Sequence, residues 1–379
     1  MKSRLFILSC IVLLFSNLMA AVAPAVPAVA TGEIAPEIPS PVWLDGKVYR
    51  VRDFRDKKIT VLFIFEANQP GIVAMAQMNT IARKSNPAEV AFYGVGTASP
   101  DVLKRLHGVK QLPFPVCADH KNSVVKLYRR NFDQLPMAVV IGKDGKVYWR
   151  GSIKTAPVVI NQVMRGKFDL KERIRVEKFS AAVAAAARAK DYEKALRLVR
   201  AEWDSHPEDL SLLSLQFTLL YNRLKRVDDC FKLIGEAHRK LPANPGVYEL
   251  ELQLISQSGK NNLYAGFVSR IRKDFASKPM QLLFFAGKLS AVSAKEFRPD
   301  LVIALLQTGW QAKFANNGDK ARFAVDYAKV MHNYGRIDLA IQLAAKAVEL
   351  FSTPQEKNGA NAALLYYKKI YAVAQKLKL

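Results

Sequence analysis

The sequence is poor in cysteine and histidine, and this scarcity limits the chemistry open to it. Its 379 residues include three cysteines, Cys10, Cys117 and Cys230, and five histidines. Three widely separated thiols exclude a disulfide framework and a cysteine-rich metal site. The histidines show no HExxH or other paired spacing, and the chain has neither a phosphate-binding glycine loop nor a GxSxG motif. We therefore predict no metal site and no cofactor.

Long apolar segments are also lacking, except at the N-terminus. There, two basic residues precede an apolar run over 5–19, and small residues follow it. These three parts are typical of a secretory signal peptide, so the protein is expected to be periplasmic or secreted. We predict a signal peptide over 1–30, cleaved after Ala20, Ala23 or Ala30. The alternative is an uncleaved anchor, which the prolines after the run disfavour; no later segment approaches a membrane span.

Acidic residues are in the minority, since 33 Asp and Glu face 57 Lys and Arg, for a net charge of +24. This excess is spread along the chain rather than gathered in one basic block. A spread positive charge favours acidic protein or peptide partners, or association with an anionic membrane surface. Because an exported protein rarely meets nucleic acid, we expect no nucleic acid partner.

After a linker predicted over 31–42, strand and helix patterns alternate. The apolar run at 59–65 indicates a buried strand, and Gly142-Lys143-Asp144-Gly145 indicates a hairpin turn between two later strands. A mixed-sheet α/β domain is thus predicted over 43–168. Its predicted strands lie at 47–54, 59–65, 90–95, around Val116, at 137–141 and at 146–150, and its helices at 71–83, 100–107, 123–130 and 157–165.

From residue 172 to 379 the pattern is helical throughout. Small residues at 195, 230 and 265 are each 35 positions apart, as are Pro207 and Pro242, which indicates paired helices in repeats. The alternative is an irregular helical bundle. The motif Ala187-x-x-x-Asp191-Tyr192-x-x-Ala195 resembles a tetratricopeptide repeat, a family whose arrays bind partner proteins or peptides along a concave face.

The first domain resembles the exported thioredoxin-like family, namely the thiol–disulfide oxidoreductases of the TlpA type and the neighbouring peroxiredoxins. The resemblance implies a thioredoxin-like fold and covers roughly residues 33–165. Its motifs are Ala35-Pro36-Glu37, the stretch ITVLFIFEANQPGIV at 59–73, Phe114-Pro115-Val116-x-x-Asp119, and Leu135-Pro136 before the hairpin strand.

The chain departs from this family where the chemistry resides. Oxidoreductases of the TlpA type carry a Cys-x-x-Cys motif after the central strand, but here Pro70 and Val73 fall at the two cysteine positions. Peroxiredoxins carry one Cys near the same helix start with a Thr or Ser three residues before it, and residues 66–73 supply neither. Ala76 stands where the family often has a proton-transferring Glu. A redox reaction needs a thiolate at a helix N-terminus, which proline and valine cannot supply. We therefore expect no catalytic residues at these degenerate positions.

Two further hypotheses concern what remains of the site. Pro136 matches the family's cis-proline, which implies a peptide-binding cleft formed by Asn68, Gln69, Pro70, Gly71, Leu135 and Pro136. The alternative is that Pro136 only shapes the entry to its strand. Cys117 is the only thiol of the domain; it is either a displaced redox residue or, as we favour, a buried core residue.

From the sequence we expect a redox-inactive scaffold of the bacterial cell envelope that binds partner proteins through its repeat domain. An alternative is a divergent thiol–disulfide oxidoreductase or peroxiredoxin-like enzyme that uses Cys117. A third hypothesis is a periplasmic chaperone or assembly factor for exported proteins.

Overall fold

The structure is a computed structural model that describes residues 28–39, 41–119, 121–130, 133–291 and 299–377. Most of the predicted signal peptide, including the cleavage positions Ala20 and Ala23, lies outside the described residues, as does Cys10. The chain divides into two compact units, the first ending at Leu198 and the second beginning at Val199. The domain bounds of 43–168 and 172–379 stay a sequence-based prediction.

A six-stranded mixed sheet forms the centre of the first unit, with the strand order β1-β4-β3-β2-β5-β6. Strands β2, β3 and β4 are parallel, whereas β1, β5 and β6 each run antiparallel to a neighbour. The mixed sheet confirms the predicted architecture. The strands are β1 (Val42–Trp43), β2 (Ile59–Phe65), β3 (Val90–Gly96), β4 (Val116–Ala118), β5 (Met137–Ile141) and β6 (Val147–Ser152).

Helices cover both faces of this sheet, which explains why all seven residues of β2 are buried. One face packs against α1 and α5, and the other packs against α4. The helices of the first unit begin with α1 (Gln69–Lys84), α2 (Pro100–Arg105), α3 (His107–Lys110), α4 (Ser123–Tyr128), α5 (Ala156–Met164) and α6 (Leu170–Arg188).

Successive residues of each strand point to opposite faces, so the first unit has two apolar layers. Phe63 and Phe65 of β2 lie in the layer that includes Met75 of α1. Leu62 and Ile64 lie in the other layer, with Cys117 of β4 and Tyr128 of α4. The sheet therefore separates Cys117 from helix α1.

The segment predicted as a linker over 31–42 is instead packed onto the domain. The backbone N–H groups of Gly32 and Ala35 donate to the carbonyls of Val147 and Gly145, each at 2.8 Å. Ala35 and Ile38 are buried in the layer that contains Cys117. The segment pairs through its backbone with a hairpin more than a hundred residues later, and no local pattern in the sequence reveals such pairing.

The strand predicted over 47–54 is also absent from this part of the described chain, where a short 3₁₀ turn spans Val51–Phe54. The carboxylate of Glu37 accepts hydrogen bonds from the N–H groups of Val51 and Arg52, at 2.8 and 3.0 Å. A carboxylate that satisfies these free donors stabilises the turn. Because Glu37 is distant in sequence, the alternating pattern at 47–54 gave no sign of this contact.

A cluster of charged side chains connects helix α6 to the sheet domain. Glu177 of α6 lies between Arg130, at 2.8 Å, and Arg173, at 2.9 Å. Arg150 of β6 is 1% exposed and donates from Nη1 to the carbonyl of Tyr128 at 2.9 Å. Burial, helped by the positive charge of the neighbouring Arg130, lowers the pKa of Arg150 to about 10. Glu177 thus supplies negative charge where several arginines converge.

From Leu170 onward the described chain is helical, as predicted. Alternate helices begin at Tyr192, Val227, Tyr264, Pro299 and Ile337, at intervals of 35 to 38 residues. The helices are α7 (Tyr192–Ser205), α8 (Leu210–Thr218), α9 (Val227–Lys240), α10 (Pro245–Ser258), α11 (Tyr264–Asp274), α12 (Pro279–Ser290), α13 (Pro299–Gln311), α14 (Asn317–Asn333), α15 (Ile337–Leu350) and α16 (Pro354–Lys376). None of the helices described is long and apolar enough to cross a membrane.

Candidate functional site

The predicted cleft residues come together at the carboxyl end of β2. This strand ends at Phe65, and after a short turn the chain enters α1 at Gln69. The antiparallel strand β5 pairs Met137 with Ile64 of β2, so the preceding Leu135-Pro136 lies beside this end of the strand. The Leu135–Pro136 peptide bond is cis. The two segments of the predicted cleft, 68–71 and 135–136, therefore share one edge of the sheet.

Helix α1 begins with a tightly hydrogen-bonded turn. The side chain of Asn68 accepts a hydrogen bond from the N–H of Gly71 at 3.0 Å, and the backbone carbonyl of Asn68 accepts one from the N–H of Ile72 at 2.9 Å. A Cβ atom on Gly71 would lie 1.9 Å from the carbonyl oxygen of Glu66. Glycine is therefore required at position 71 by the close approach of the backbone.

The degenerate positions lie on the surface of this helix start. Pro70, Val73 and Ala76 are all exposed, with Val73 at 51%. Pro70 lies in the first turn of the helix. Backbone N–H groups in this turn have no acceptor within the helix, so a proline here costs no hydrogen bond. These positions present ring, aliphatic and methyl groups, which have no redox or acid–base chemistry.

The electrostatics of the helix start also differ from those a thiolate requires. A thiolate at this place is stabilised by free backbone N–H groups and the positive end of the helix dipole. Here Pro70 has no N–H, and Asn68 takes the N–H of Gly71. The carboxylate of Glu66 lies beside the turn and accepts from Nδ2 of Asn68 at 2.7 Å. Negative charge and occupied donors make this helix start unfavourable for a second anion.

Cys117 lies in the centre of the core. It is 0% exposed and faces Trp43 on one neighbouring strand and Val95 on the other. Burial raises the pKa of its thiol to about 12, and the negative charge of Asp119 contributes. The geometry favours the interpretation of Cys117 as a core residue, because the sheet separates it from α1.

Asp119, which ends the Phe114-Pro115-Val116 motif, has a structural role in the described chain. Its carboxylate accepts from the N–H groups of Ser123 and Val124, at 2.8 and 2.9 Å, and from the Ser123 hydroxyl at 2.7 Å. It thereby satisfies donors at the start of α4. Among the described residues, no group of three or more His, Cys, Asp or Glu is placed to hold a metal ion.

Comparison with known proteins finds similarity in the first domain. Residues 31–150 match the AhpC/TSA family, while no curated protein matches the chain. Similar solved structures include a thiol-disulfide isomerase from Corynebacterium glutamicum, with 16% identity and a TM-score of 0.28, covering 38% of this chain and 96% of that chain. A secreted disulfide oxidoreductase of Mycobacterium tuberculosis has 18% identity and a TM-score of 0.27, covering 32% and 92%.

A 2-Cys peroxiredoxin of Plasmodium vivax is also similar, with 18% identity and a TM-score of 0.32, covering 37% of this chain and 84% of that chain. The family match covers the cleft segments and all of the sheet except the end of β6. Together with the strand order it confirms the predicted fold class, a thioredoxin-like domain followed by an all-helical region.

Proposed function

We propose that the protein is a redox-inactive interaction protein of the bacterial cell envelope, in which a thioredoxin-like domain and a helical repeat domain bind partner proteins. One observation carries this proposal: the exposed helix start that bears the thiols in redox-active relatives presents Pro70 and Val73. The single described thiol of the domain, Cys117, is buried on the other face of the sheet. The enzyme alternative would require that thiol to become accessible.

The cleft suits an extended peptide without chemistry. Residues 68–71 supply a polar turn, and Leu135-Pro136 supplies a partly buried apolar edge beside it. Exposed Ile72 and Val73, at 41% and 51%, add apolar surface at the same helix start. An extended partner segment gains affinity from backbone hydrogen bonds and specificity from side-chain contacts of this kind.

The helical region has features that support a tetratricopeptide-like array. Contacts recur between residues about one repeat apart: Arg200 with Glu236 at 2.6 Å, and the hydroxyl of Tyr221 with the carbonyl of Gln257 at 2.9 Å. Contacts at a constant interval are expected where similar helix pairs stack. Such a stack offers a long surface for protein partners.

Reduction of insulin disulfides by dithiothreitol tests the absence of redox activity. We expect the wild-type protein to give no rate above the uncatalysed reaction, and the Cys117→Ala variant to behave identically; an active thioredoxin serves as the positive control. Turnover by the wild type that is lost in Cys117→Ala would contradict the proposal and establish the oxidoreductase alternative.

Partner binding at the cleft is tested with a photo-crosslinking amino acid at Gln69, in cells that express the full chain. The matched control carries the same group at Lys84, which is exposed at the other end of α1. We expect crosslinked partners from position 69 and none from position 84. Equal yields at both positions would refute a specific cleft, and broad capture of many unfolded proteins would favour the chaperone hypothesis.

A further inference from the structure

The last helix, α16, concentrates apolar side chains on its exposed surface. Leu365, Val373 and Leu377 are 59%, 54% and 61% exposed, and Tyr366 and Tyr371 are 51% and 40% exposed. Leu377 directly follows the helix, and Tyr371 lies on the same side as the buried Tyr367. Large apolar residues exposed singly are ordinary, but Leu365, Tyr366, Val373 and Leu377 lie on one side of α16 and form a patch that indicates a binding surface.

A comparison with α14 shows why this surface exists. Helix α14 has neighbours on several sides and buries six residues, among them Phe323, Tyr327 and Met331. Helix α16 is longer, yet only Ala360 and Tyr367 are buried. The described chain thus covers one narrow strip of α16, and the opposite side remains exposed to solvent.

Lysines lie among the apolar residues of this surface rather than around it. Leu365, Lys369, Val373 and Leu377 are spaced four apart and form one row along the helix. Lys368 and Lys376 are also exposed, and no ion pair of these three lysines is found among the described residues. A protein helix packed along this row would bury the Lys369 ammonium group, which costs several kcal/mol without a partner.

A lipid headgroup layer accommodates the same arrangement at no such cost. Leucine, valine and tyrosine side chains enter the boundary between headgroups and acyl chains, while lysine stems extend back to the phosphates. A second copy is disfavoured because two chains of net charge +24 repel each other. We propose that the exposed face of α16 binds an anionic membrane surface.

Co-sedimentation of the full chain with lipid vesicles tests this proposal. The probes are vesicles of equimolar phosphatidylcholine and phosphatidylglycerol, and vesicles of phosphatidylcholine alone. We expect the wild-type protein to bind the anionic vesicles more tightly than the phosphatidylcholine vesicles, because the apolar N-terminal run contributes to both. The variant Leu365→Gln/Val373→Gln is expected to weaken this binding about tenfold or more through lost apolar burial, and Lys368→Gln/Lys369→Gln about tenfold through lost attraction.

The matched control is Val48→Gln/Val158→Gln, which changes two valines that are 74% and 49% exposed in the first unit. Every variant retains the apolar N-terminal run, so a loss confined to the α16 variants is not caused by that run. Circular dichroism should show unchanged helix content, because all substituted side chains are exposed.

The proposal is overturned if wild-type protein does not bind the anionic vesicles, or if the α16 variants bind as tightly as the control. Light scattering on the same samples provides a further check. A dimer that is lost in Leu365→Gln/Val373→Gln would assign the face to a second copy instead.

Discussion

Cys117 is predicted to be almost unreactive in the folded protein. Alkylating reagents attack the thiolate, so the rate depends on the fraction of thiol that is ionised. Burial raises the pKa of Cys117 from 9.0 to about 12, helped by the charge of Asp119. A rise of this size lowers the thiolate fraction near pH 8 about a thousandfold. Complete burial of the sulfur slows the reaction further, because the reagent has no access to it.

Timed alkylation with iodoacetamide at pH 8, followed by peptide mapping, measures this rate for each cysteine separately. Cys230 provides an internal comparison, because it is also fully buried and burial raises its pKa to about 11. The exposed reference is an Ala76→Cys variant, which places a thiol on the solvent side of α1. We expect rapid labelling of this reference, and labelling of Cys117 only after unfolding in guanidinium.

One result would refute the reasoning. If Cys117 in native protein were alkylated within about tenfold of the rate at position 76 in the reference variant, the thiol could not be both buried and protonated as described. The hypothesis of an oxidoreductase that uses Cys117 would then regain its basis. Labelling only at the rate of global unfolding would instead agree with a core role.

Three further predictions concern stability and processing. Gly71→Ala should destabilise the first unit by about 2 kcal/mol or more in urea unfolding, because its Cβ would overlap the Glu66 carbonyl; unchanged stability would contradict the close approach. Glu177→Gln should lower the free energy of unfolding by about 2–4 kcal/mol at neutral pH. Burial alone would raise the pKa of Glu177, but Arg130 and Arg173 lower it overall. The stabilisation by the Glu177 carboxylate should therefore be complete above the pKa of glutamate in the unfolded chain, and should be lost as the pH falls through the lowered pKa in the folded protein. A stability difference between wild type and variant that does not change with pH would contradict this prediction. Mass spectrometry of exported protein should find cleavage before Val29, whose N–H donates to the Leu127 carbonyl at 2.8 Å; a start at residue 31 would contradict it.

The parts of the fold that the sequence predicts correctly rest on local signals. The apolar run at 59–65 became β2, and the Gly142–Gly145 turn joins β5 to β6, as expected. Both depend on residues adjacent in sequence: a continuous apolar strand is buried on both faces, and a glycine with positive φ closes the hairpin. The helical region was equally visible, because its repeat interval and helical period are sequence properties.

The features that the sequence did not predict all depend on contacts between distant residues. The segment at 31–38 pairs with the β5–β6 hairpin, and the carboxylate of Glu37 accepts hydrogen bonds from the 3₁₀ turn at 51–54. The arginines around Glu177 come from a loop, a strand and a helix. In the sequence, each of these arginines resembles an ordinary solvent-exposed residue. Sequence patterns identify which face of an element is apolar, but they do not identify which distant carboxylate meets which arginine.

The candidate site includes features of both kinds. The absence of cysteine at positions 70 and 73 is visible in the sequence, whereas the hydrogen bonding of this helix start is not. In the structure, Asn68 takes the N–H of Gly71, and the Glu66 carboxylate adds negative charge beside it. A helix start that is already capped has little need of an external anion. Thiols and the environment that would ionise them are thus absent together, and this edge of the sheet presents a polar turn at 68–71 beside the apolar Leu135-Pro136.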